Sequence, residues 1–141
     1  MDIKALNQAL LSIAQKKNEL IKIDYNDDAY DNVEEELHDL EDDFQEKYGD
    51  YLEDVLQDVH DELCPDNDVL LPIAYLAKEY IISPGDNNEK VYDVKASEGV
   101  LVEVDDYPGQ PTRLVLLPNP LRILLQINQE QRQEVWAAQV D

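Results

Sequence analysis

Two histidines and a single cysteine are the residues of this 141-residue chain best suited to hold a metal or attack a substrate. Glu35-Glu36-Leu37-His38 contains a Glu-x-x-His spacing, which on a helix sets both side chains on one side, as in half of a di-iron site. The other half is missing, because Gln57 stands three residues before His60. On one continuous helix His38 and His60 would lie about 33 Å apart at 1.5 Å per residue, too far to share an ion. Only a tight reversal at Gly49 would bring them together. His60 and Cys64, at i and i+4, offer two of the four ligands that structural zinc needs. As a nucleophile Cys64 is poorly placed, since Asp61, Glu62 and Asp66 would raise a thiol pKa, and only a lowered one activates it. The residues therefore predict helix-flank histidines, a half-buried thiol, no bound metal and no cofactor.

Asp24, Asn26, Asp28, Tyr30, Asn32 and Glu35 fall at the 1, 3, 5, 7, 9, 12 spacing of a calcium loop. Position 6 wants Gly for its sharp turn and holds Ala29; position 8 is ordinarily apolar and holds Asp31. Helix capping by Asp and Asn is the better account of these side chains. A ligand-site candidate lies farther on, where Asp105-Asp106-Tyr107 and Arg113 flank one turn and Asp106 could face Arg113 across a hairpin. A surface ion pair is the plainer reading, worth at most about 1 kcal/mol. Trp136 reads as a core or docking residue. With four glycines in the chain, no phosphate-binding loop is present.

These residues are outnumbered by carboxylates. Between Asp24 and Asp68 stand twenty Asp and Glu against Lys47, a net charge of -19 out of -22. The rest of the chain carries thirteen acidic and ten basic residues, so the acidity is local. Net charge of this size excludes electrostatic attraction to phosphate backbones or anionic lipid as the main binding mode, and so predicts no direct nucleic acid or membrane partner. Hydrophobic residues make up 43% of the chain, enough for a core in one domain over 1–141. One cysteine, no apolar signal-like leader and no long apolar run predict a cytoplasmic protein.

The apolar spacing predicts an α+β fold. Ile3, Leu6, Leu10, Ile13 and Leu20 repeat by three and four and mark a helix over about 2–22. A second stripe runs Tyr30, Val33, Leu37, Leu40, Phe44, Tyr48, Tyr51, Val55, Val59, Leu63. It predicts one long acidic helix, or two nearly collinear ones if Gly49-Asp50 acts as stop and cap. The two helices should form an antiparallel hairpin over 2–64, burying stripe against stripe, with Glu35, Asp42, Glu46 and Glu53 facing water. Pro72–Leu76 suggests a short helix, and Ser83 to Asn88 a turn. Over 70–127 the period becomes two: Val100–Val104, Leu114–Leu117 and Leu121–Ile127 predict an antiparallel β-meander, with Val91–Val94 as a fourth strand. Continuously apolar Leu114–Leu117 implies cover on both faces. Asn128 and Gln131 resemble a capping box, predicting a C-terminal helix over 129–140.

On these grounds the chain reads as a noncatalytic binding protein whose acidic face, represented by Glu35, Asp42, Glu46 and Glu53, meets a basic partner protein. Mimicry of nucleic-acid charge is a narrower form of that reading. Two alternatives belong to other classes. One is a small enzyme with a polar site around Tyr80, Tyr92, Asp106 and Arg113, between helices and sheet. The other is a structural homodimer, formed through the sheet edge or the C-terminal helix because the acidic faces repel.

Overall fold

A computed structural model describes residues 1–85 and 89–139. Helix α1 spans Ile3–Ile21 and helix α2 spans Asp28–Leu63. Asp2 caps α1 through Ala5 N at 3.1 Å, and Asp27 caps α2 through Ala29 N at 2.9 Å, each answering an orphan N–H. The short link between them reverses the chain, so the helices form the expected hairpin. Lys16, near the end of α1, bonds Glu36 near the start of α2 at 2.7 Å.

Helix α2 runs through Gly49 without a break. A helical glycine costs about 1 kcal/mol relative to Ala, and the apolar residues buried on either side offset that. Its buried face nevertheless turns along its length. Val33, Leu37 and Phe44 are buried as the spacing predicts, but beyond Gly49 the buried residues are Leu52, Leu56, Val59 and His60, while Tyr51 and Val55 lie only half-buried. The cause is length. At 1.5 Å per residue, α1 reaches about 28 Å and α2 about 54 Å, so the second half of α2 outlasts its helical partner. It packs instead on the 3-10 turn Pro72–Tyr75 and the sheet below.

The strands are β1 (Ile81–Pro84), β2 (Lys90–Asp93), β3 (Val100–Leu101), β4 (Arg113–Leu117), β5 (Arg122–Gln126) and β6 (Arg132–Ala137). They form an antiparallel pair, β1-β2, and a four-stranded antiparallel sheet ordered β3-β4-β5-β6. Two expectations are corrected. Val91–Val94 supplies a strand, but to the separate β1-β2 pair and not to the meander. No helix forms over the described residues 129–139 of the predicted C-terminal helix 129–140, where Arg132–Ala137 is strand β6; Val140 lies outside the described residues, as do Asp86, Asn87 and Asn88 of the predicted turn. Asn128 does cap, but it caps a turn: its Oδ1 accepts from Glu130 N at 2.9 Å, while Ile127 N donates to Gln131 O. The next residues then pair with β5, satisfying the second edge of a strand buried along its whole length.

Strand β3 is shorter than Val100–Val104 suggests. Thr112 N turns back to Gln110 O, so the Thr112 hydroxyl takes its place and donates to Val102 O at 2.6 Å. Just before β3, Gly99 adopts φ +112°, and a Cβ there would stand 2.6 Å from Leu114 O, so only glycine lets the chain approach β4 this closely.

Both faces of β4 and β5 are covered. Leu114, Leu116, Ile123 and Leu125 join α1 and α2 in one core, and Val115, Leu117 and Leu124 join Tyr80, Tyr92 and Val94 in a second. Polar staples hold the β1-β2 pair in place. Asn18 exchanges two hydrogen bonds with the Tyr80 backbone, at 2.8 and 2.9 Å. Arg122 is buried and donates to Tyr92 O (2.7 Å), Pro120 O (2.8 Å) and Pro118 O (3.3 Å). Arg132 grips Asp93 with both guanidinium nitrogens, one at 2.8 Å.

Two stability predictions follow from the staples. Arg122→Met keeps the apolar stem but leaves three carbonyls without their donor. Bonds to a charged donor contribute about 1.5–3 kcal/mol each and do not add fully, so urea unfolding should show a loss of about 2–4 kcal/mol. Asp93 is held below the ordinary carboxylate range, first by its Arg132 hydrogen bond, with partial burial opposing. A depressed folded pKa gives stability that is fully present above the unfolded value of about 3.9 and is lost as pH falls through the folded one. Asp93→Asn should therefore lower stability at pH 7 by about 0.5–1 kcal/mol, discounted for exposure. The gap should close as the pH is taken below about 4.

Candidate functional site

Helix α2 presents sixteen Asp and Glu in 36 residues, with Lys47 as its one Lys or Arg. Glu35, Asp42 and Glu46 are exposed and Glu53 half-buried, and their spacing by seven and four sets them along one line of the helix. A second line, Glu36, Asp39, Asp43, Asp50 and Asp54, is equally exposed and equally periodic. Choosing only residues directly opposite the apolar stripe missed it, although the same period marks it. Little neutralises either row. Among the described residues, the salt bridges to α2 carboxylates are Lys16–Glu36 from α1 and Lys47–Asp43 within the helix.

The calcium-like spacing does not close around an ion. Asp24 Oδ1 accepts from Asn26 N and Asp27 caps α2, so from Asp28 onward the candidate ligands are splayed around a helix. Among the described residues no group of three or more His, Cys, Asp or Glu is placed to hold a metal.

The histidines part company. His38 is exposed, whereas His60 is buried and is not the flank residue its spacing suggests. Its Nε2 lies 2.8 Å from the Tyr75 hydroxyl and its Nδ1 lies 3.1 Å from Asn67 O. Leu70 N donates to the same hydroxyl at 3.1 Å. Asn67 O can only accept, so Nδ1 carries the proton, Tyr75 donates to Nε2, and every polar atom of the set is satisfied. The set closes the loop that follows α2 and leaves no ring nitrogen for a substrate. Cys64 is fully buried, not half-buried, and burial pushes its thiol pKa up.

Tyr80 and Tyr92 lie in the second core with ring centroids 6.3 Å apart, and the Tyr80 hydroxyl donates to Leu116 O at 2.9 Å. Burial holds that phenol far above its usual range. Both tyrosines are buried, whereas Asp106 is exposed and Arg113 half-buried. Arg113 does not reach Asp106; it extends to Gly99 O at 3.4 Å and lines a shallow cleft of about 600 Å³ with Lys95, Ser97 and Asn128. Trp136 is half-buried against the main core from β6. With the C-terminal helix replaced by β6, the surface available for self-association is a sheet edge, and the register shift opposite Ile123 and Leu124 makes that edge irregular.

No family model, curated protein or solved structure matches the chain. No helix among the described residues is long and apolar enough to cross a membrane.

Tyr75→Phe tests the structural assignment of His60. It strands the buried His60 Nε2 and the part-buried Leu70 N, and should cost about 1–3 kcal/mol in a denaturant titration. An unchanged midpoint would return His60 to the pool of functional candidates.

Proposed function

We propose that the protein is a noncatalytic binding protein in which the outer surface of α2 engages a basic partner protein. The observation that carries this reading is the continuity of the acidic surface. Sixteen carboxylates less one lysine leave a net charge of -15 on one unbroken helix. Over about 54 Å that is one negative charge per roughly 3.6 Å. A single nucleic-acid strand carries one per about 3.4 Å. The similarity favours, as the narrower form of the proposal, a partner whose basic surface otherwise takes a nucleic-acid strand. Such charge speeds encounter and weakens with salt, because exposed charges are screened beyond about 8 Å at physiological ionic strength.

The folded architecture supports a binding role more than an enzymatic one. The buried polar groups on the two faces of the sheet, His60 and Tyr75 on the helical side and Tyr80 and Arg122 on the other, are each engaged in hydrogen bonds to their own chain. The free, buried Cys64 suits a reducing compartment such as the cytoplasm, and the reading takes the chain as a single domain.

The test is a salt-resolved pull-down with the folded protein and with a variant carrying Glu35→Gln, Asp42→Asn, Glu46→Gln and Glu53→Gln. The wild type should retain basic proteins at 50 mM salt and release them by 500 mM. The variant, unchanged by circular dichroism, should retain several-fold less. Single-stranded nucleic acid added to the loaded resin should displace a nucleic-acid-binding partner. Equal retention by the variant, or retention indifferent to salt, would overturn the proposal.

A further inference from the structure

Where α1 ends and α2 begins, one groove is lined by lysines and apolar side chains, although exposed Asp24, Asp27 and Asp28 stand at the link beside it. The groove has a volume of about 480 Å³, within the range of small-ligand sites, with Leu20, Ile21 and Ile23 as its apolar floor and Tyr25 at its rim. Tyr25 is 77% exposed and Ile21 51%; with Met1 they are the exposed large hydrophobics of the helical hairpin. The groove lining includes Lys17 and Lys78 but no Asp or Glu, in a chain with three acidic residues for every basic one.

Lys17 is the unusual member. It lies half-buried, and no hydrogen bond or salt bridge engages its amine among the described residues. Burial pulls its pKa down, and Glu41 and Glu98 oppose that fall from a distance without pairing with it. The carboxylate nearest in sequence, Glu19, pairs with Lys16 at 3.2 Å, and Asp24 and Asp27 accept from Asn26 N and Ala29 N. An ammonium kept from water without a counter-ion is costly, and an anion placed beside it recovers much of that cost. The net charge of -22 does not forbid such a ligand, because screening over about 8 Å leaves the local charges to decide.

We propose that this groove binds a small amphipathic carboxylate, its head group between the Lys17 and Lys78 ammonium groups and its apolar chain along Leu20, Ile21 and Ile23. The site is separate from the outer rows of α2 and does not depend on what those rows bind. An apolar chain alone would not explain the two lysines, and an inorganic anion alone would not explain the exposed isoleucine.

Decanoate below its micellar concentration is the probe, with decanol and decyltrimethylammonium as neutral and cationic controls of the same chain length. Titrations of the full chain, followed by amide chemical shifts, should show decanoate binding about tenfold or more tightly than either control, with shifts centred on Lys17, Ile21 and Tyr25. Lys17→Met keeps the stem and removes the charge. It should weaken decanoate by about tenfold and leave decanol unchanged. Lys78→Met, at an exposed position, should weaken decanoate several-fold and serves if the Lys17 variant is misfolded. Equal affinity for the three amphiphiles, no binding of decanoate at 1 mM, or full decanoate affinity in a folded Lys17→Met or Lys78→Met variant would each overturn the assignment.

Discussion

Strands β4 and β5 leave water no face to solvate: from Leu114 to Leu117 and from Leu121 to Ile127 every side chain is buried. A sheet of this kind needs a layer on each side, and the remainder of the chain is arranged to supply both. The helical hairpin covers Leu114, Leu116, Ile123 and Leu125. The segment carrying Tyr80, Tyr92 and Val94 covers Val115, Leu117 and Leu124. That second layer is thin, and the two-stranded β1-β2 unit has little apolar surface to hold it; Ile81 and Ile82 point largely to water. A two-stranded hairpin is marginal by itself. Hence the concentration of polar staples at Asn18, Arg122 and Arg132, each drawn from an element already fixed in the main body.

The same cover accounts for the tolerance of so much like charge on α2. Close pairs of carboxylates repel by a few tenths of a kcal/mol each, yet the opposite side of the helix buries Leu37, Phe44, Leu52, Leu56 and Val59. Burial at about 25 cal/mol per Å² outweighs the repulsion. The acidity thus persists because packing permits it, with sixteen of the thirty-three carboxylates on this one helix.

Much of this was legible in the sequence, and the failures have physical causes. The helical period marks both helices, and the apolar run Leu114–Leu117 and the largely apolar 121–127 mark β4 and β5, because burial acts directly on which side chains are apolar. Residues 129–139 misled because Asn128 offers the same side-chain oxygen to the first N–H groups of a helix and to a tight turn; pairing with the free edge of β5 decided between them. The stripe on α2 departs from the buried face beyond Gly49 because periodicity records that a face is buried, not by what. Once α1 ended, a new partner rotated the buried face onto Leu52 and Leu56. For the site, the spacing of Glu35, Asp42, Glu46 and Glu53 located one exposed row. The isolation of Lys17 was not readable, since it depends on which of thirty-three carboxylates fold away from one amine.

His60 shows why residue type alone overstates chemistry in a chain like this. Its proximity to Cys64 in sequence suggested ligands or a nucleophile and its base. In the fold, the i,i+4 relation is spent on a backbone bond from Cys64 N to His60 O at 2.8 Å, and the ring serves the loop beyond. The loop that leaves the 36-residue helix, residues 65–71, is largely exposed, but Asn67 O and Leu70 N bond inward to the buried His60 and Tyr75, where polar groups need partners. Imidazole and phenol can supply both a donor and an acceptor at fixed distance. The requirement that selects them there is the satisfaction of Asn67 O and Leu70 N. Apart from Gln45 Oε1, which is buried without a partner, the charge that little within the chain neutralises lies elsewhere, in the outer carboxylates of α2 and the lysine-lined groove at its start, where a basic partner and a small carboxylate are proposed to bind.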